Sequence, residues 1–144
     1  LFNMITFFFF GRSMESVLSP HIGAAGYTAF YLGGIAVAIL PSHLRHRTHS
    51  GYRSLGASGG VSAVLFAYIL LQPWSMLLVF VVPVPAIVFA AAYIGYSVWA
   101  ERNAGDRINH GAHLAGAAWG VLFMLALEPR LLGGFVQELL APLG

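Results

Sequence analysis

The chain has 144 residues, 58% of them hydrophobic and only 8% charged, with a net charge of +2, against roughly 25% charged residues in an ordinary soluble domain. That balance points to a membrane protein and, with no basic run beyond one short His/Arg loop, leaves a nucleic-acid partner without support. The absence of cysteine excludes disulfides, thiolate catalysis and thiolate metal sites.

A helix needs about 20 apolar residues to cross the hydrocarbon core, with a usual range of about 17 to 25. On that ruler Leu1 to Phe10 is the end of a truncated span. The chain opens inside an apolar segment with no initiator methionine, no basic leader and no small-residue cleavage site, so it is expected to be a fragment whose beginning is missing. Ile22 to Leu40 is a full span, and Leu55 to Leu71 is a third, short and glycine-led. Trp74 to Ala100 is too long for one helix and too short for two, and Pro83 and Pro85 cut it. This predicts an interfacial or partly inserted lead-in over Trp74 to Val82 and a fourth span over Val84 to Ala100. Ala112 to Leu127 is the fifth. Lysine is absent, and Arg12, Arg45, Arg47, Arg53, Arg102, Arg107 and Arg130 all fall outside the most apolar stretches, as do the five carboxylates. Charges are therefore expected to mark the loops. No internal repeat appears, so residues 1–144 form one domain, an all-α polytopic transmembrane helical bundle.

Counting crossings locates two reactive side chains. Ser58 stands at the start of the third span and His113 at the start of the fifth, with two crossings between them, so both lie on the same side and at similar depth. Small residues recur at four-residue spacing, Gly56 with Gly60 and Gly116 with Gly120, a pattern that lets helix backbones approach closely in membranes.

Gly56-Ala57-Ser58-Gly59-Gly60 fits the nucleophile elbow of soluble hydrolases and also looks like the nucleophile box of trypsin-type proteases. Both readings fail on context, because a membrane span follows Ser58 and this composition cannot build a secreted β-barrel. The chemical logic of a glycine-flanked serine survives. A permanent carboxylate at membrane depth costs several kcal/mol, and a neutral serine–histidine pair is the cheaper device. Imidazole accepts the hydroxyl proton during attack and returns it to the leaving group, while free N–H groups at a helix start face developing negative charge. A lone serine at a span start is most often a cap or a packing residue; the histidine at the same depth is what raises Ser58 above that reading. No span holds a carboxylate, so the arrangement would be a dyad, with His110 a structural hydrogen-bonder. In His43-Leu44-Arg45-His46-Arg47-Thr48-His49 the histidine spacing suits zinc if helical, but the arginines repel a cation. A loop contacting lipid headgroups is the better account, and neither metal nor cofactor is expected.

At these residues the chain resembles the rhomboid family of intramembrane serine proteases. Gly56-Ala57-Ser58-Gly59 is similar to its nucleophile motif, and Ala112-His113-Leu114-Ala115-Gly116 followed by Gly120 is similar to its histidine motif. Asn3 matches an asparagine that helps bind the oxyanion, and Gly11 with Glu15 matches the pattern ending the same helix. The resemblance implies a six-helix core whose first helix is missing here, with Ser58 as nucleophile and His113 as general base. It implies an oxyanion hole built by the Ser58 N–H and Asn3, with Gly56, Gly59, Gly116 and Gly120 as motif and packing residues. It further implies single-pass transmembrane proteins as substrates, entering sideways from the bilayer. The family's oxyanion histidine would lie four residues before Asn3. Ser62 stands where some members place a tyrosine against the catalytic histidine, so His113 must be oriented differently, and Ser19 replaces a frequent glycine.

The arginine-rich loops share a side with Ser58, which by the positive-inside rule faces the cytoplasm, whereas in the better-known members that face is extracytoplasmic; the family orientation is the expectation adopted. The expected location is a multi-pass position in the plasma (inner) membrane of a bacterium. Two competing readings are a catalytically inactive rhomboid-like protein that binds transmembrane clients and a transporter relaying protons through His110 and His113.

Overall fold

The computed structural model describes residues 2–46, 57–79, 81–103 and 109–141, which form a helical bundle with one small hairpin of strands. Helix α1 (Phe2–Thr6) passes through a π-helical turn (Phe7–Gly11) into α2 (Arg12–His46). The stretch Asn3–Leu40 is helical and apolar enough to cross a membrane. A straight rod of 38 residues would be about 57 Å long, nearly twice the roughly 30 Å hydrocarbon core. The chain folds back instead at Gly23, whose φ of 72° and ψ of 170° lie in a region open essentially to glycine alone. The Phe7 and Tyr31 rings are 4.6 Å apart, and the Tyr27 hydroxyl donates to the Gly11 carbonyl at 2.8 Å. Partner numbers fall on one rod as they rise on the other, which defines an antiparallel pair.

The remaining helices are α3 (Ala57–Leu71), α4 (Ala86–Asn103), α5 (His110–Leu127) and α6 (Leu131–Leu140). Helix α3 is central, buried without interruption from Gly59 to Ala67. It runs parallel to α5, because Gly116 meets Gly59 and Gly120 meets Ala63, numbers rising together. A Cβ on Gly116 or Gly120 would overlap the backbone of Gly59 or Ala63, so the two main chains touch with no side chain between them. Close approach of this kind is a main source of helix association in lipid. The second rod of α2 runs antiparallel to both, with Gly34 over Gly60 and Ala63, and Ala38 over Gly59. The Trp119 indole donates to the Phe30 carbonyl at 3.0 Å, and the Phe30 and Phe123 rings are 4.8 Å apart. Helix α4 lays Ala86 and Ala90 against Leu65, Phe66 and Ile69 of α3 and Ala117 of α5. Met4, Phe8, Phe9, Leu32, Ile94 and Leu122 are exposed on the outside, as suits a surface whose solvent is lipid.

Between α3 and α4 the strands β1 (Met76–Val79) and β2 (Val82–Pro85) pair antiparallel, Leu77 opposite Val84 and Val79 opposite Val82. The base is closed by the Ala86 N–H on the Ser75 carbonyl and the Ile87 N–H on the Pro73 carbonyl, each at 2.8 Å. The stretch expected as a lead-in at Trp74 to Val82 is built into this hairpin, a local exception to an all-α fold. The prolines that cut the helix fit β2 because they are two residues apart, so both nitrogens lacking hydrogen face away from β1. Between Ser58 and His113 the chain thus runs the length of the bundle twice, along α3 and back along α4.

Two further expectations change. The first segment does not stop at Phe10: the helix continues to the fold at Gly23, carrying Arg12 exposed on its surface rather than in a loop, and Glu15 within the same helix, as the resemblance implies. Ser13 and Ser16 donate back to the Phe9 and Arg12 carbonyls at 3.0 Å, which satisfies polar side chains without ending the helix. The bundle also does not end at Leu127. Helix α6 places Leu131 and Phe135 against the cluster holding Met14, Leu18 and Met124, and the Trp74 indole donates to the Glu138 carbonyl at 2.9 Å.

Replacing Gly116 by Ala should force α3 and α5 apart and cost about 2 to 3 kcal/mol, seen as a lower thermal midpoint in detergent. Gly95→Ala, with open space around it, should stay within about 0.5 kcal/mol. Gly23 also has nothing near its missing Cβ, yet Gly23→Ala should lose about 1 to 3 kcal/mol through backbone strain alone. An unchanged midpoint there would show that the fold-back does not need this conformation.

Candidate active site

The start of α5 is held by two local devices. Asn109 caps it, its Oδ1 accepting the Ala112 N–H at 2.9 Å, and the Glu101 carboxylate at the end of α4 accepts the Gly111 N–H at 2.9 Å. A negative charge is favoured there by the positive end of the helix dipole. These contacts set where His110 and His113 emerge. His113 is half-buried, three residues before the Gly116 contact; Ser58 is half-buried in the first turn of α3, one residue before Gly59. The two side chains flank the closest approach of the parallel helices at one end of the bundle. Among the described residues, no hydrogen bond joins the Ser58 hydroxyl to the His113 ring. Catalytic hydrogen bonds of this type often tighten only when substrate is bound.

Asn3 belongs to the same end. The Phe7 ring packs on Tyr31, whose ring covers the bare face of Gly60, and Asn3 lies one turn beyond Phe7 toward the Ser58 end, with its side chain exposed. Of the motif glycines, Gly59, Gly116 and Gly120 form the helix contact. The partner of Gly116 and Gly120 on α3 is the pair Gly59 and Ala63, while Gly60 turns toward Tyr31 and Ile35 of α2. Gly56 lies outside the described residues, as do Arg47, Arg53, Arg107 and His49. Of the three histidines expected in a loop, His43 and His46 belong instead to the last residues of α2, and the His43 side chain is exposed.

Sequence reasoning missed Tyr93. Its ring, on α4, stacks on His113 with centroids 6.2 Å apart and planes inclined by 21°, and its hydroxyl lies 3.1 Å from Ser62 Oγ. The ring packed on His113 therefore comes from α4, not from position 62. One turn along, Tyr96 meets the buried His110 edge-on at 5.5 Å, and His110 meets His113 at 6.3 Å. His110 is a ring in the wall beside His113, in keeping with a structural part. The signal for this pairing was the matched spacing of Tyr93 with Tyr96 and His110 with His113, which face each other when α4 and α5 run antiparallel.

A hydroxyl, an imidazole and a carboxamide at one end of a lipid-facing helical bundle are the groups that acyl transfer requires. The fold and the order of these groups define a polytopic membrane protein of helical-bundle type. The chain belongs to the rhomboid family, whose Rhomboid domain model matches residues 1–130. It is similar to "RHOMBOID-like protein 12, mitochondrial" of Arabidopsis thaliana, 34% identical over 128 residues that cover 81% of this chain and 38% of the relative. It is similar also to "Rhomboid protein 1, mitochondrial" of Saccharomyces cerevisiae, 30% identical over 128 residues, covering 84% of this chain and 35% of the relative. The chain thus spans little more than a third of the length of these curated relatives. No solved structure matches it. Membership makes it a membrane protein. The mitochondrial names of its relatives give the expected bacterial inner membrane no support.

Removing the cap by Asn109→Ala should cost about 1 kcal/mol, whereas Asn109→Asp, an equally good cap, should keep nearly all of it. Thermal unfolding in detergent reads the difference. Equal midpoints for the two variants would mean that the start of α5 is held without the cap.

Proposed function

We propose that the protein is an intramembrane serine endopeptidase that hydrolyses peptide bonds in the transmembrane segments of single-pass membrane proteins. The observation that carries this reading is the parallel contact of α3 and α5 through Gly59 and Gly116, with Ser58 and His113 flanking it at one end.

In the proposed reaction Ser58 Oγ attacks the scissile carbonyl carbon while His113 takes the hydroxyl proton. The carbonyl oxygen becomes an oxyanion, met by the Ser58 N–H at the start of α3 and by the Asn3 carboxamide. The C–N bond then breaks, and His113 gives its proton to the departing amine. Water, deprotonated by His113, attacks the resulting ester; the acyl C–Oγ bond breaks as His113 returns the proton to Ser58 Oγ, releasing the acid and restoring both side chains. Both groups are neutral before reaction, which limits the cost of holding them at membrane depth. Substrate helices enter from the lipid and unwind at the Ser58 end, where polar side chains gather and water has access.

With the full-length protein in membranes and a single-pass model substrate, Ser58→Ala and His113→Ala should each lower cleavage by more than about 10³-fold. Asn3→Ala should lower kcat by on the order of 10²-fold with little change in KM. Cleavage by Ser58→Ala or His113→Ala at the wild-type rate would rule out the dyad. Capture of the substrate without cleavage by any form would leave a binder of transmembrane clients.

A further inference from the structure

An imidazole that acts as a base must present one ring nitrogen to the nucleophile, and its orientation is normally set by a hydrogen bond to the other nitrogen. Among the described residues the His113 ring makes no such bond, and no carboxylate is paired with it. Its plane is set by packing instead. The Tyr93 ring lies nearly parallel to it, 21° between planes, while the His110 ring stands against it at 79°. A flat neighbour on the face of an imidazole restricts rotation about its last side-chain bond more than an aliphatic group does.

Tyr93 is itself fixed. Phe66 and Phe89 flank its ring at 5.5 and 5.7 Å, and its hydroxyl is 3.1 Å from Ser62 Oγ. Ser62 is buried, only 6% exposed, so its hydroxyl depends on this partner. Ser62 also follows Ser58 by four residues on α3, which puts both on one face of the helix. The line Ser62, Tyr93, His113 therefore runs from the helix of the serine, through α4, to the helix of the histidine.

We infer that Tyr93 is a positioning residue that holds the His113 imidazole toward Ser58, and that Ser62 locks its phenol in place. This rests on the reading of Ser58 and His113 as a catalytic dyad. The phenol touches neither substrate nor the reacting atoms; it acts only through the orientation of the base. The aromatic face matters most and the hydroxyl second.

The test uses the full-length protein in membranes, with kcat and KM for a single-pass substrate and the rate of Ser58 labelling by a fluorophosphonate. Ser62→Ala serves as background, so that loss of the phenol leaves no stranded hydroxyl. In that background Tyr93→Leu should lower kcat and the labelling rate about 30-fold, the scale expected when a reacting group is misplaced. KM and the thermal midpoint should stay close to those of Ser62→Ala alone. Tyr93→Phe in the same background keeps the ring and should recover kcat to within about threefold. Equal kcat for the Leu and Phe variants, or a loss that tracks the thermal midpoint, would overturn the inference while leaving the dyad standing. A wild-type protein that neither cleaves nor labels at Ser58 would overturn the protease reading and this inference with it.

Discussion

The bare contact between α3 and α5 is the constraint on which the rest of the molecule depends. Lipid chains are as apolar as the helices they surround, so burial of oily side chains gives two membrane helices little reason to prefer each other. Contact area and backbone proximity must supply the preference. Gly116 and Gly120 on one helix and Gly59 and Ala63 on the other achieve it by removing nearly everything between the two main chains. Because the helices run in the same direction, no short loop can join them. A returning helix is obligatory, and α4 is that helix. Ser58 and His113 inherit their common level along the bundle from this geometry.

The two ends of the bundle divide the work. The fold at Gly23, the β1–β2 hairpin and α6 all lie at the end away from Ser58, and the Trp74 indole ties hairpin and α6 together through the Glu138 carbonyl. At the other end sit the capped start of α5, the first turn of α3 and Asn3. Structural closure at one end leaves the polar groups at the other less encumbered. Tyr93 bridges the helices on the Ser58 side, joining α3, α4 and α5 with one ring and one hydroxyl.

Much of this was legible in the order of residues, for identifiable reasons. Span length is a property of the bilayer as much as of the chain, so counting apolar residues correctly put Ser58 and His113 at one end. The glycine spacing revealed that backbones approach closely but not that Gly59 and Ala63 form the α3 side of the contact, because alanine at 63 serves as well as glycine and carries no mark. Paired prolines announce the end of a helix but do not distinguish a loop from a strand that hides their missing hydrogens. Charges were expected to mark loops because the two usually coincide in membranes; Arg12, outward-facing on a helix, breaks that coincidence. Tyr93 was hidden for a different reason. Its partner is on another helix, and only the antiparallel phase of α4 against α5 makes them neighbours.

The prolines of β2 have a consequence beyond ending a helix. With Pro83 and Pro85 turned away from β1, the free side of β2 offers carbonyl oxygens and no amide hydrogens at those positions. An extended chain that tried to add itself as a third strand would find acceptors without donors, half a ladder. The hairpin thus carries an outer edge to which another extended chain cannot readily adhere.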